Sequence, residues 1–321
     1  MKMEIKLSIV IPTLNSEDVL EETLMALLPQ TVDNETVETL IINNGSTDKT
    51  QFIIDKYKQQ YPLLKHIKRE KTIPANENFK DGVHQANGEY VFLLGDDDIL
   101  FPSFLKEILP LLYNNYGIIH FNRVLGQNNL NNNKCIYRSI DNRGCIIYDQ
   151  YNSFLEEYNC EFNFMSSVVF RKDVWFKGEK FVSFDKNYYG YHWYATLLFG
   201  GIDYKCIYYS YPLVIQRVRE KTWKKEWPLY WIVGMFSIYK DLDAKVPGIY
   251  NIYYKKQHDN RKDYFISLFA EIAKSKDLYR LHKEEFYSIL SKRENTLYNL
   301  VLSTPYFIGN SLQKIYRLLH L

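Results

Sequence analysis

Cysteine is scarce and unpatterned in this chain. Of 321 residues only four are cysteine, at 135, 145, 160 and 206. They show no CxxC spacing and no metal-finger pattern, and they read as reduced thiols of a cytosolic protein. Excess charge of one sign is lacking too. Forty Lys and Arg face 38 Asp and Glu, a net of +2, and the basic residues are dispersed apart from short clusters such as Lys221-Thr222-Trp223-Lys224-Lys225. No field that would favour nucleic acid is expected. No apolar run reaches the roughly 18–20 residues of a membrane span. The nearest approach, residues 229–239, reads as a core helix. Met1-Lys2-Met3-Glu4-Ile5-Lys6 leads straight into a strand pattern and carries no signal-peptide signature. No internal repeat is evident.

What is present is a 46% hydrophobic composition, ample for a core, in a length that suggests about two domains. Tyrosine is abundant, with 28 copies, which suits a carbohydrate site or a plain compositional bias. Strand patterns at 7–11, 37–42, 64–68 and 90–94 alternate with helical patterns at 16–28, 49–60 and 74–86. That alternation predicts an α/β protein with a doubly wound sheet. Further strands are expected at 117–122, 162–171, 204–209 and 212–216, and helices at 104–113 and 185–200. From about Trp227 the pattern is mostly helical, with helices expected at 264–273, 283–290 and 311–319. The expected division is therefore 1–225 and 226–321, and residues 127–133, rich in asparagine, read as an exposed loop.

The most informative feature is Asp96-Asp97-Asp98, separated by Gly95 from the apolar run Tyr90-Val91-Phe92-Leu93-Leu94. Three adjacent carboxylates repel one another and resist close packing. Solvent or a hard divalent cation offsets them, and Mg²⁺ or Mn²⁺ bridges one or two carboxylates to the phosphates of a substrate. Ligands of open α/β sheets sit beyond the carboxyl ends of the strands, where this triplet lies. The plainer alternative is a solvated turn, with Asp98 capping a helix that begins near Pro102. Two more strand ends are polar: Ile11-Pro12-Thr13-Leu14-Asn15 and Ile42-Asn43-Asn44-Gly45-Ser46-Thr47-Asp48. If those strands are adjacent and parallel, their backbone N–H groups and short side chains can hold a base and a diphosphate.

Together with Asn78 and Gly88-Glu89-Tyr90, these motifs resemble family-2 glycosyltransferases of the GT-A fold. Ser8-Ile9-Val10-Ile11-Pro12-Thr13-Leu14-Asn15, Asn44-Gly45-Ser46-Thr47-Asp48-Lys49-Thr50 and Gly95-Asp96-Asp97-Asp98-Ile99-Leu100 carry the likeness over about residues 5–110. A looser match to about residue 225 is similar to abequosyltransferase-like enzymes of O-antigen and capsule assembly. It rests on Asn163-Phe164-Met165-Ser166-Ser167, Phe170-Arg171-Lys172, His192, Pro212-Leu213-Val214, Arg217 and Trp223.

The resemblance implies a mixed GT-A sheet with a helical C-terminal region. It implies inverting transfer of a sugar from a nucleoside diphosphate to a glycan or lipid-linked acceptor. By position, Pro12, Thr13, Asn15, Asn44 and Asn78 border the nucleotide, Asn43 faces the base and Asp96 the ribose. Asp97 with Asp98 holds Mn²⁺ or Mg²⁺ on the diphosphate, and Arg217 grips a phosphate. Ser166 and Trp223 fall on the acceptor side. Two positions depart from the family: Asn43 replaces its usual aspartate, and Gly95 stands where its acidic motif commonly begins. The first leaves cytidine or thymidine donors open beside uridine.

Many relatives carry a Glu-Asp pair as general base, where this chain has Tyr189-Gly190-Tyr191-His192-Trp193. His192, with an unperturbed pKa near neutral, is the candidate base, Asp185 is the runner-up, and a packed structural histidine is the alternative. A nucleotidyltransferase would need a glycine-rich phosphate loop after the first strand, and Thr13-Leu14-Asn15-Ser16 is not one. A non-catalytic nucleotide-sugar-binding scaffold stays open. Finally, residues 303–321 combine apolar residues at helical spacing with Lys314 and Arg317. They suit packing within the protein, a homo-oligomer contact or peripheral attachment to the inner face of a cell membrane.

Overall fold

The computed structural model describes residues 4–126, 135–137, 143–158, 161–183, 188–218, 228–259, 272, 275–290 and 292–303. The chain forms two compact units, Met1–Phe184 with His192–Arg219, and Asp185–Tyr191 with Glu220–Leu321.

The first unit opens with β1 (Leu7–Thr13), α1 (Leu20–Thr31), β2 (Val37–Asn43), α2 (Thr50–Gln60), β3 (Lys65–Lys68), α3 (Ala75–Gln85) and β4 (Tyr90–Leu93). All residues of β1, β2 and β4 are buried, which explains why they are mostly apolar with no alternation of apolar and polar positions. β1 pairs in parallel with β2 and with β4, and β2 in parallel with β3. Leu20, Leu24, Leu27 and Leu28 of α1 join β1, β2 and β4 in one core with Phe92, Phe104 and Phe121.

The second part of this unit contains β5 (Ile99–Leu100), α4 (Phe104–Ile108), β6 (Ile118–Gly126), β7 (Cys135–Tyr137), β8 (Cys145–Tyr148), α5 (Tyr151–Tyr158), β9 (Val168–Arg171), α6 (Lys172–Glu179), α7 (His192–Gly200) and β10 (Cys206–Arg217). The strand order is β3-β2-β1-β4-β9-β6-β10-β5, with β7 on β6 and β8 on β10. β9 runs antiparallel to both β4 and β6, so the sheet is mixed. Residues 162–171, expected to form one strand, begin instead with a 3₁₀ turn at Met165–Ser167. The two extended segments expected at 204–209 and 212–216 are one strand. Its register slips between Tyr209 and Val214, where Pro212 has no N–H to give to the ladder.

α7 is buried along its whole length, as a helix apolar all round must be. It crosses α6 at very close range. A Cβ on Gly178 or Gly200 would lie 1.9 Å from the carbonyl oxygen of Thr196 or Val174. Only glycine at both positions permits that crossing, which sets where His192, the first residue of α7, begins.

The second unit is helical among the described residues. A π-type turn at Leu229–Gly234 runs into α8 (Met235–Leu242), followed by α9 (Ile249–Asp259) and helices at Lys276–Leu281, Lys283–Ile289 and Lys292–Ser303. Tyr239 and Tyr253 stack with centroids 4.0 Å apart between α8 and α9, and the Tyr188 hydroxyl donates to Asp241 at 2.6 Å. No described helix is long and apolar enough to cross a membrane. The helix expected at 311–319, most of that at 264–273, the loop at 127–133 and all but Ser303 of segment 303–321 lie outside the described residues.

Candidate active site at the carboxyl edge of the sheet

The parallel register places Thr13 opposite Asn43 and Asn43 opposite Lys68. The ends of β1, β2 and β3 therefore share one edge, and the chain leaving β4 joins them through Leu94 N–H donating to Val10 O at 2.9 Å. Side chains stitch the loops beyond. Asn15, held at φ 52°, a left-handed conformation asparagine tolerates, accepts from Thr47 N–H at 2.9 Å, and its own N–H donates to Ser46 Oγ. Asp48 accepts from Thr50 N–H at 2.9 Å and from Glu17 N–H, and Glu17 in turn accepts from Lys49 N–H. Those bonds outweigh the desolvation that opposes them and hold Asp48 below the ordinary carboxylate range.

The asparagines expected at the nucleotide occupy distinct settings. Asn43 is fully buried. Its Oδ1 accepts from Ser46 N–H at 3.0 Å and its Nδ2 donates to Gln51 at 2.9 Å, so its amide builds the turn. Asn44 bonds both the N–H and the carbonyl of Ile73 and pins the loop after β3. Asn78 accepts from Arg69 Nε at 3.0 Å, and Arg69 also pairs with Asp81. Pro12 is a buried residue of β1. Thr13 is also buried, and its hydroxyl has no partner among the described residues.

The acidic triplet divides its work. Ser16 Oγ donates to Asp96 Oδ2 at 2.5 Å, and Thr23 Oγ1 donates to the Asp96 carbonyl. Asp98 points inward. Its carboxylate accepts from Ser166 Oγ at 2.6 Å and from Arg217 N–H at 3.1 Å. Burial, and after it the neighbouring Asp97 charge, push Asp98 up to about 7 against the lowering effect of those two bonds. Ser166, itself fully buried, also accepts Gly95 N–H at 2.8 Å. Arg217 Nε donates to the Asp97 carbonyl at 2.9 Å, and Arg217 Nη2 pairs with Glu22 at 2.5 Å.

Gly95 follows from this packing. A Cβ there would come within 2.7 Å of Asp98 Oδ2 and 3.1 Å of Ser166 Oγ. An aspartate at 95 does not fit beside Asp98 as it is placed. Asp98 caps no helix either, because α4 begins at Phe104 after Ser103, with no side-chain cap.

Among the described residues no three or more His, Cys, Asp or Glu side chains converge as a metal cage. The donor chemistry nevertheless suits a hard cation. Asp96 and Asp97 are only half-buried, and nucleotide-bound Mg²⁺ or Mn²⁺ needs one or two carboxylates, with substrate phosphates and water completing the shell.

His192 is buried, and its Nδ1 lies 3.0 Å from Asn76 Nδ2 at the start of α3. Asp185 and Trp223 lie outside the described residues. Sequence reasoning passed over Ser16, Glu22, Arg69 and Asn76 as individual site residues. For Asn76 a signal existed in the run Asn76-Glu77-Asn78 at a helix start. The Glu22–Arg217 pair, 195 residues apart, left none.

The family model of glycosyl transferase family 2 matches residues 8–176, just over half of the chain. The chain belongs to glycosyl transferase family 2. It is 35% identical over 100 residues to a poly(ribitol-phosphate) beta-glucosyltransferase of Bacillus spizizenii, covering 30% of this chain and 15% of that protein. It is 33% identical over 108 residues to the abequosyltransferase RfbV of Salmonella typhimurium, covering 33% of this chain and 31% of that protein. These matches thus span less than a third of either relative's length. The fold is that of S. aureus TarS residues 1–349, solved in complex with UDP-GlcNAc. The TM-score is 0.63 at 16% identity, over 98% of this chain and 92% of that one. This GT-A architecture with a helical C-terminal region agrees with the fold expected from the sequence.

Proposed function

We propose that the protein is an inverting glycosyltransferase. It moves a sugar from a nucleoside diphosphate to a hydroxyl of a glycan or lipid-linked glycan in surface-polysaccharide synthesis. The observation that carries this reading is the shared edge: the ends of β1, β2 and β3 and the Asp96-Asp97-Asp98 turn lie together, with polar groups on every loop. Family membership and relatives named for glucosyl and abequosyl transfer support it.

In this account Thr13, Asn15, Asn44 and Asp96 border the nucleoside. Asn43, Asn78 and Arg217 act from beneath, because their side chains are engaged in building the turns. Asp97, with Asp96 beside it, would hold Mg²⁺ or Mn²⁺. The ion would neutralise charge on the departing diphosphate without a proton having to move. Asp98, Ser166 and Arg217 hold the triplet loop in place. His192 takes the proton of the acceptor hydroxyl as that oxygen bonds to the anomeric carbon. The bond from that carbon to the diphosphate breaks, and its electron pair leaves with the diphosphate. Asp185 is the alternative base, and Trp223 is assigned to the acceptor. We place the reaction in the cytoplasm, with residues 303–321 as the segment that meets a membrane or a second copy.

A panel of uridine, cytidine, guanosine and thymidine diphosphate sugars, screened by thermal shift with Mn²⁺ or Mg²⁺, tests the reading. One donor should raise the melting temperature and then lose its sugar to water or an acceptor on incubation. Binding without any sugar release would contradict catalysis, and no stabilisation by any donor would contradict the site.

A further inference from the structure

We propose that Asn76 is the positioning residue of His192: its carbonyl holds Nδ1–H, fixing the tautomer in which Nε2 carries the lone pair. This rests on the reading of His192 as the base. Asn76 and His192 are 116 positions apart, yet their side-chain nitrogens lie 3.0 Å from each other in a partly buried contact. A half-turn of the amide about its last bond exchanges Oδ1 and Nδ2 with no change of shape. As drawn, the NH₂ group donates to Nδ1, which puts the ring proton on Nε2, and Asn76 Oδ1 is buried with no partner among the described residues. Turned, Oδ1 accepts Nδ1–H, and the amide NH₂ takes the position without a partner. Hydrogen-bond counting therefore does not separate the two settings, but chemistry does. Only the second leaves a basic nitrogen for an acceptor hydroxyl.

His192 is the first residue of α7. Charged groups of α3 and α6 have other partners, Lys172 donating to the Ala86 carbonyl. On α3, Lys80 and His84 face Glu179 of α6, and Asp81 pairs with Arg69, leaving exposed Glu77. On α6, Asp173 pairs with Arg171 and Lys177 with Asp203.

Nitrogen-15 spectra of the full chain labelled at histidine read the tautomer directly, without substrate. With His192 assigned through His192→Gln, the wild type above pH 8 should show a protonated Nδ1 and an unprotonated Nε2. Asn76→Asp, which keeps an acceptor, should retain that pattern. Asn76→Leu should move it toward the mixed tautomers of free imidazole. In transfer assays Asn76→Leu should lower kcat about tenfold or more, within the roughly 10²–10⁴-fold that a general base supplies, with KM for the donor changed less than about threefold. Asn76→Asp should stay near wild type. A protonated Nε2 in the wild type, or Asn76→Leu with unchanged tautomer and kcat, would overturn the inference. If His192→Gln is itself fully active, the base reading fails instead.

Discussion

The parallel and the mixed halves of the sheet are built by different rules. In β3-β2-β1-β4 the strands β1, β2 and β3 are each followed by a helix, and most of the bonds that shape the edge join segments fewer than 40 residues apart. Asn15 to Thr47 and Asn44 to Ile73 are typical. In β9-β6-β10-β5 the contacts that reach the same edge are remote. Ser166 meets Gly95 across 71 residues, and Arg217 meets Asp98 across 119. The first half makes the turns, and the second holds the acidic loop against them.

The opposite ends of the parallel strands sharpen the contrast. Glu38, nearly buried on β2, accepts from Ser8 Oγ of β1, from Lys65 Nζ of β3, and from Asn87 N–H and Nδ2 just before β4. One carboxylate thus ties four successive strands at the edge away from the site. The hydrogen bonds it receives overcome desolvation and keep its pKa below the ordinary value.

Asp97→Ala should abolish detectable transfer while circular dichroism and melting temperature stay close to wild type, because Asp97 is a half-buried loop residue. Full activity in that variant would remove the triplet from the chemistry.

Glu38→Ala should cost about 1–3 kcal/mol in urea unfolding, since it removes the acceptor of the buried Ser8 hydroxyl and of the part-buried Asn87 N–H. Half-exposed Lys65 adds little, being screened by solvent. Because its folded pKa is depressed, the Glu38 contribution is full above about pH 4.5 and is lost as pH falls through the folded value. An equal cost at pH 3 and pH 7 would contradict this.

Ser166→Ala should cost about 1–3 kcal/mol, by leaving Gly95 N–H and the Asp98 carboxyl without their partner, and should lower transfer as the loop loosens. Transfer lowered with unchanged stability would instead mean that Ser166 meets substrate.

The smallest effect concerns His120, buried among Tyr158, Phe162 and Tyr208. Burial lowers it from 6.5 to about 3. The unfolded chain then takes up a proton between those values and the folded chain does not, so His120 weakens the fold as pH drops from 6.5 toward 3. His120→Phe should flatten the fall in stability between pH 6.5 and 4, and an unchanged slope would count against a neutral buried ring.

The parallel half was legible in the sequence because fully buried strands leave continuous apolar runs, and because their polar turns sit next to them in the chain. The runs at 7–11, 37–42 and 90–94 fall on β1, β2 and β4. The mixed half was less legible. β5 has two residues, too few for periodicity to register, and Pro212 splits the pattern of β10 into two apparent segments. α5 (Tyr151–Tyr158) and α6 (Lys172–Glu179) were not expected from the sequence. At the site, position along the chain marked the acidic triplet but not its inner partners. Nothing local says that Asp98 turns away from solvent, or that its carboxylate lies 2.7 Å from where a Cβ of residue 95 would be.

In the proposed mechanism this edge binds a nucleoside diphosphate through Asp97. Calorimetric titration of the nucleoside diphosphate selected by the donor screen, with and without Mn²⁺, into wild type and Asp97→Ala tests it most directly. Mn²⁺ should tighten binding at least about tenfold in the wild type, a gain of about 1.4 kcal/mol. That gain should vanish in Asp97→Ala while metal-free affinity stays the same. Equal affinity and equal metal dependence in the two proteins would contradict the account.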